Sequence, residues 1–268
     1  MPDEIEIWMP DAQFTGERLA GEGATEFALD MQRHLAAYRF AIERARGRTV
    51  LDAGCGEGYG AAMVAGVARR VLALDQAEAV TIAAARHRLA NLEFRAFDLT
   101  ELVRLGETCE LVLSFQVIEH LQDPATFLAA LAACTAPGGT LVVTTPNRLM
   151  SVSENPYHLR EGTAPELRAL ASPVLPGVEV LGVHGSARVL AFEQARGAQV
   201  RRILRLDPLG LRRRLPDVVV KRVFPVLARF VRRRIQGDGT LPDVGPADFT
   251  VRGDDLERPL DLLLLWRR

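Results

Sequence analysis

Three closely spaced glycines, Gly54, Gly56 and Gly58, are the first chemical signal in this chain of 268 residues. They stand in Asp52-Ala53-Gly54-Cys55-Gly56-Glu57-Gly58, at the end of an apolar run, Thr49–Ala53. Glycines at such a turn allow positive φ and let a ligand come close to the backbone. The spacing is G-x-G-x-G with Asp52 two residues ahead, not the G-x-G-x-x-G of a dinucleotide site. A pyrophosphate ligand is therefore the poorer match, and a tight turn without a ligand is the plain alternative. Two carboxylates follow. Asp75 ends the run Val71–Leu74, about 20 residues beyond the glycines, where it can accept both hydroxyls of a ribose or cap the helix that follows. Asp98, in Phe97-Asp98-Leu99, can accept from the exocyclic amine of an adenine while Leu99 packs on the ring. One glycine-rich and two acidic strand ends in succession are far less ambiguous than any of them alone.

Hydrophobic patterning supplies the elements that must hold these residues. Apolar runs at Thr49–Ala53, Val71–Leu74, Leu92–Phe97, Leu111–Phe115 and Thr140–Thr145 alternate with alanine-rich segments, among them Tyr59–Ala68, Ala77–Leu89 and Pro124–Cys134. Strands separated by helical stretches mean βαβ units around a parallel sheet. Crossovers of this kind are right-handed, which puts helices on both faces. Ligands of such sheets bind outside the carboxyl ends of the strands, the rim on which Gly54, Asp75 and Asp98 fall. Two late runs, Val178–Val183 and Leu260–Trp266, are expected to close the sheet. The expected organisation is an N-terminal helical or capping segment at 1–46, an α/β Rossmann-like core at 47–184, a basic helical insert at 185–258 and a final core strand at 259–268.

Lys and Arg number 33 against 34 Asp and Glu, a net charge of −1 that gives no general attraction to nucleic acid or anionic membrane. This balance conceals an asymmetry. Residues 185–234 carry 14 basic and 3 acidic side chains, leaving 19 and 31 elsewhere. Pro225 and Gly237 mark the ends of an expected helix there. Val226, Leu227, Phe230, Val231 and Ile235 share one of its faces, with Arg229, Arg232 and Arg233 towards the other. Such an insert can cap a site or make weak contact with a membrane surface. No apolar run approaches the roughly 20 residues of a spanning helix, and the acidic start lacks the layout of a secretory signal. Three scattered cysteines, Cys55, Cys109 and Cys134, make neither a disulfide framework nor a metal set. A cytoplasmic location and no bound metal are the expectation, and the oligomeric state is left open.

Taken with Ser114-Phe115-Gln116-Val117-Ile118-Glu119-His120-Leu121 and the turn Ala136-Pro137-Gly138-Gly139, these motifs resemble those of class I S-adenosylmethionine (SAM)-dependent methyltransferases. The likeness holds in order and spacing over about residues 47–184. It implies SAM as cofactor and a doubly wound, mostly parallel seven-stranded sheet of order 3-2-1-4-5-7-6 with an antiparallel last strand. Gly54, Gly56 and Gly58 would then line the methionine end of SAM. Asp75 would bind the ribose, Asp98 the adenine amine, and Phe115 and Gln116 would face the sulfonium, with Asp52, Gln76 and Leu99 completing the set. A finer likeness, in Phe14–Arg18 (FTGER), Thr145–Arg148 (TPNR) and Asn155–Glu161 (NPYHLRE), is to bacterial methyltransferases associated with polysaccharide biosynthesis, some linked to methylated glucan lipopolysaccharides.

Methyl transfer from a sulfonium is an in-line displacement in which positioning supplies much of the catalysis. An alcohol acceptor must also lose its proton, and histidine is the usual base near neutral pH. His120, after the fourth strand, is the first candidate. His158, in the polar loop after the fifth, is the second, and Glu119 can orient a base or bind a sugar hydroxyl. Plainer roles stand beside these: His120 packing the next helix, His158 steadying its loop, Glu119 as a solvated carboxylate. His184 is a weaker third histidine, while His34 and His87, on helical stretches, read as structural. The expected reaction is O-methylation of a small molecule, with a sugar or oligosaccharide hydroxyl as first choice. A quinone-like or natural-product carbon, nitrogen or oxygen is the alternative acceptor, and a non-catalytic SAM-binding interaction protein is a third reading. Nucleic acid is not an expected partner, because the fourth strand continues as FQVIEHL and not as the Asn/Asp-Pro-Pro-aromatic motif of amine methylation.

Overall fold

The computed structural model describes residues 28–151, 158–204 and 244–268. The expected helix at 226–235, the FTGER motif and residues 155–157 of the NPYHLRE motif lie outside the described residues. Among the described residues eight strands form one sheet: β1 Thr49–Ala53, β2 Arg70–Asp75, β3 Leu92–Ala96, β4 Cys109–Phe115, β5 Thr135–Pro146, β6 Glu179–Gly185, β7 Phe249–Arg252 and β8 Asp261–Arg267. Their order is β3-β2-β1-β4-β5-β8-β6-β7. The first five pair in parallel, whereas β8 runs antiparallel to both β5 and β6. The last strand in sequence thus slots between β5 and β6, as the doubly wound expectation requires.

The sheet has eight strands where seven were expected. The extra strand is β7, which pairs antiparallel with β6 from Gly185↔Phe249 to Gly182↔Arg252. It lies inside the stretch 185–258 read as a helical insert, and its four residues, Phe249-Thr250-Val251-Arg252, are the shortest run in which alternation marks a strand. The same stretch begins with a helix, α6 Ala187–Leu204. The other helices are α1 Ala28–Ala45, α2 Tyr59–Ala65, α3 Ala77–Arg86, α4 Pro124–Cys134 and α5 Ala164–Ala171.

Local chemistry explains where these helices start. Asp123 accepts from the Thr126 N–H at 3.0 Å, with Pro124 as the first helical residue of α4. Thr163 and Glu166 form a reciprocal capping box at the start of α5. Successive side chains on β1 face opposite sides of the sheet. Leu51 joins one core with Leu72, Val112, Leu128 and Leu141, and Val50 joins the other with Tyr38, Val64, Val71 and Leu111. Leu51, Leu72 and Leu111 are completely buried, each stabilising the fold by about 1.5–3 kcal/mol relative to an exposed side chain. These two cores hold the strand ends in register, and the rim they define carries the site. Among the described residues, no helix is long and apolar enough to cross a membrane.

Candidate functional site

The turn after β1 is built around its glycines. Gly54 has φ +96°, and a Cβ there would come within 2.2 Å of Val117 Cγ2. Gly58 has φ +83°, and its Cβ would meet the Phe94 ring at 2.6 Å and Ala83 at 2.8 Å. The N–H groups of Gly54 and Cys55 both donate to the Leu74 carbonyl, at 2.8 and 3.0 Å, so the loop folds across the end of β2. There the Asp75 carboxylate accepts from Gly56 N at 2.8 Å and from Gln76 N at 2.7 Å. At the end of β3, Asp98 accepts from the Thr100 N–H and hydroxyl at 2.9 and 2.7 Å. Those bonds hold its exposed carboxyl below the usual carboxylate range.

A cleft of about 920 Å³ opens over these strand ends. Eight of the ten residues expected to hold a cofactor line it: Gly54, Gly56, Asp75, Gln76, Asp98, Leu99, Phe115 and Gln116. The other two lie behind its wall. Gly58 serves the packing of the turn against Phe94 and Ala83. Asp52 is completely buried and accepts from the Tyr38 hydroxyl at 3.1 Å, and burial pushes its carboxyl up to about 7.

Two features of the cleft were not expected. His34, read as structural, reaches it from α1 and hydrogen-bonds through Nδ1 to the Tyr59 hydroxyl. Its ring stands edge-on to Tyr38, Tyr59 and Phe115, and burial lowers its pKa to about 3, so it is neutral. The signal available in sequence was its i, i+4 spacing from Tyr38, which puts both on the inward face of one helix. The second feature is the backbone of Gln116, a non-glycine residue at φ +57°. Its N–H donates to the Thr144 carbonyl at 3.0 Å. Strained backbone of this kind costs about 1–3 kcal/mol and persists where the surroundings over-determine it.

The three expected chemical groups come together beside Gln116. A short 3₁₀ turn, Ile118–His120, follows β4 and puts His120 on the cleft wall. Glu119 is 1% exposed, accepts from the Thr145 hydroxyl at 3.1 Å, and is pushed up to about 7 by burial. Its backbone carbonyl accepts from the N–H groups of Leu159 and Arg160, at 2.8 and 3.2 Å. These bonds tie the loop after β5 to the turn after β4, and so bring His158 to His120. His158 Nδ1 donates to Glu161 Oε1 at 2.5 Å. Burial pushes the Glu161 carboxyl up, but the bonds from His158 and Ser151 outweigh it and hold the carboxyl below the usual range. Although no metal set was expected, donor atoms of Glu119, His120 and His158 lie within 4.8 Å of one another.

A buried ionic layer closes this region. Asp261, at the start of β8, pairs with Arg33 of α1 at 3.2 Å and stands near the Gln116 side chain. Arg196 of α6 reaches Asp30 at 3.6 Å. The remaining histidines stand elsewhere. His184 is buried on β6 beside Arg252 of β7, at 3.3 Å, and His87 caps the C-terminus of α3.

A family model described as "Methyltransferase domain" matches residues 27–172. A probable S-adenosylmethionine-dependent methyltransferase of Mycolicibacterium smegmatis is 40% identical over 194 residues, 69% of this chain and 74% of that protein. A ubiquinone biosynthesis O-methyltransferase of Rhizobium etli is 36% identical over 110 residues, 40% of this chain and 44% of that one. Among solved structures, an S-adenosylmethionine-dependent methyltransferase from Mesorhizobium loti shares the fold at a TM-score of 0.53 and 16% identity, covering 90% of this chain and 100% of that one.

Proposed function

We propose a sugar or oligosaccharide hydroxyl as the methyl acceptor of this chain, which belongs to the class I SAM-dependent methyltransferases and uses SAM as its cofactor. SAM supplies a methyl group activated on a sulfonium. The cleft has the volume of a cofactor site, and its residues fit the parts of that molecule. In this reading Asp75, oriented by two backbone N–H groups, accepts from the ribose hydroxyls, and Asp98 beside Leu99 accepts from the adenine amine. Gly54 and Gly56 bring bare backbone to the methionine end, while Phe115 and Gln116 stand towards the sulfonium. Asp52 and Gly58 act from behind, by supporting Tyr38 and by packing the turn.

The observation that carries the acceptor class is the polarity of the region beside Gln116. Glu119, His120, His158, Glu161 and Asp261 gather there, which suits several hydroxyls better than a flat apolar ring. Glu119, His120 and His158 form the polar set at which the acceptor hydroxyl loses its proton, with His120 nearest the acceptor on the cleft wall. Of the basic stretch 185–234 expected to cap this side, α6 is described, and residues 205–234 lie outside the described residues. A quinol-like acceptor is the second reading, favoured by the likeness to a protein named for O-methylation in ubiquinone biosynthesis. Incubation with methyl-labelled SAM, neutral oligosaccharides and a catechol-type quinol separates the two. The expected product is a labelled methyl ether of an oligosaccharide. Label on the quinol alone moves the assignment to the second reading, and label on carbon or nitrogen overturns both.

A further inference from the structure

We infer that Glu119, His120 and His158 form a binding site for one divalent transition-metal ion, placed where the acceptor hydroxyl must lose its proton. One carboxylate and two imidazoles are a donor set suited to Zn²⁺, Mn²⁺, Fe²⁺ or Co²⁺, and less suited to Mg²⁺, which prefers oxygen alone. The three donor atoms lie within 4.8 Å of one another. Donors bound at about 2.0–2.2 Å from one ion stand at most about 4.4 Å apart, so a small side-chain rotation completes the set.

Three further observations point to a ligand. Glu119 is 1% exposed, yet its Oε1 has no hydrogen-bond partner among the described residues, while Oε2 is satisfied by Thr145. A buried carboxylate oxygen left in that state is costly unless something binds it. Next, Glu161 accepts from His158 Nδ1 at 2.5 Å, the carboxylate–histidine arrangement that orients metal ligands. Finally, the Leu159 and Arg160 N–H groups hold the His158 loop to the Glu119 carbonyl, which fixes the two halves of the set to each other.

Three protein ligands leave positions for substrate oxygen. The role in catalysis rests on the O-methylation reading: an acceptor hydroxyl bound to the ion is acidified and gives its proton to solvent. As the C–O bond forms the C–S bond of SAM breaks, and S-adenosylhomocysteine leaves. The binding of the ion does not depend on that reading.

The test uses the untagged full chain, stripped with chelator and titrated with Co²⁺. Visible d–d bands saturating at one equivalent, and displaced by Zn²⁺, are the expected result. Glu119→Gln and His158→Asn should each weaken Co²⁺ binding at least tenfold, and Glu161→Gln about 10–100-fold, while His87→Asn leaves it unchanged. S-adenosylhomocysteine binding should persist in every variant, which shows that each is folded. Absence of the bands, or equal Co²⁺ affinity in Glu119→Gln and His158→Asn, overturns the site. Undiminished methyl-ether formation in chelator overturns its catalytic role and leaves the O-methylation reading standing. A bound ion with label arriving only on carbon or nitrogen leaves the site standing and overturns that reading.

Discussion

The ring of His158 stands edge-on to that of His120, with centroids 4.9 Å apart and planes at 81°. The two histidines come from loops after different strands, and their meeting depends on the Glu119 carbonyl that receives the later loop. His120 lines the cleft and His158 lies behind it, so the pair is expected to act as a unit. His120→Ala should lower turnover by about 10²–10⁴-fold with SAM affinity retained. Steady-state kinetics beside calorimetry checks this. If His158→Ala alone loses turnover, the proton belongs to the later loop; if neither does, deprotonation is not limiting.

Asp75 holds the ribose assignment. Its carboxylate is set in place by the Gly56 and Gln76 N–H groups, and a cofactor would gain charge-assisted bonds from it. Asp75→Ala is expected to cost about 1.5–3 kcal/mol of binding, roughly 10–150-fold in affinity. Calorimetry showing unchanged affinity for S-adenosylhomocysteine would remove the assignment.

Two glycines of the same turn should respond differently to alanine. At Gly58 a Cβ would collide with Phe94 and Ala83, whereas at Gly56 it meets nothing within 4 Å. Both have positive φ, which costs an alanine about 1–2 kcal/mol. Gly58→Ala should add about 1–3 kcal/mol from overpacking, so its thermal midpoint falls well below that of Gly56→Ala. Equal midpoints would mean that the contacts with Phe94 and Ala83 relax freely.

Burial raises the Asp52 carboxyl from 3.8 to about 7. Tyr38 of α1, Tyr59 of α2, Cys55 of the loop after β1 and Asp75 at the end of β2 are the titratable groups around it. Because the folded pKa is the higher one, the folded state holds a proton that the unfolded chain has released. The stability linked to Asp52 is full below about pH 3.8 and is lost as pH rises through about 7. Asp52→Asn, which keeps an acceptor for Tyr38, should therefore gain on the wild type as pH rises over that window. Denaturant melts of both proteins without cofactor measure the difference, and parallel curves would contradict the burial argument.

Much of this arrangement could be read from the chain. The Thr49–Ala53 run, the glycine spacing and the acids at 75 and 98 carried both the fold and one wall of the cleft, because local patterning dictates strand ends. What escaped was set by tertiary contact. β7 shows its period over only four residues, and it is fixed by its pairing along the edge of β6. His34 reaches the cleft because α1 packs on Phe115 through Tyr38, whose rings lie 4.8 Å apart. Asp52, expected among the cofactor-binding residues, is instead buried under Tyr38. The grouping of Glu119, His120 and His158 depends on two backbone bonds between distant loops, for which a sequence has no local signal.

The central claim, that SAM lies along the ends of β1, β2, β3 and β4 with its sulfonium turned to Gln116 and His120, is tested most directly by a crystal structure with S-adenosylhomocysteine. The expected result has the ribose hydroxyls on Asp75, the adenine between Asp98 and Leu99, and the sulfur facing Gln116. A ligand lying elsewhere, or reversed so that its sulfur sits at Asp98, would contradict the account.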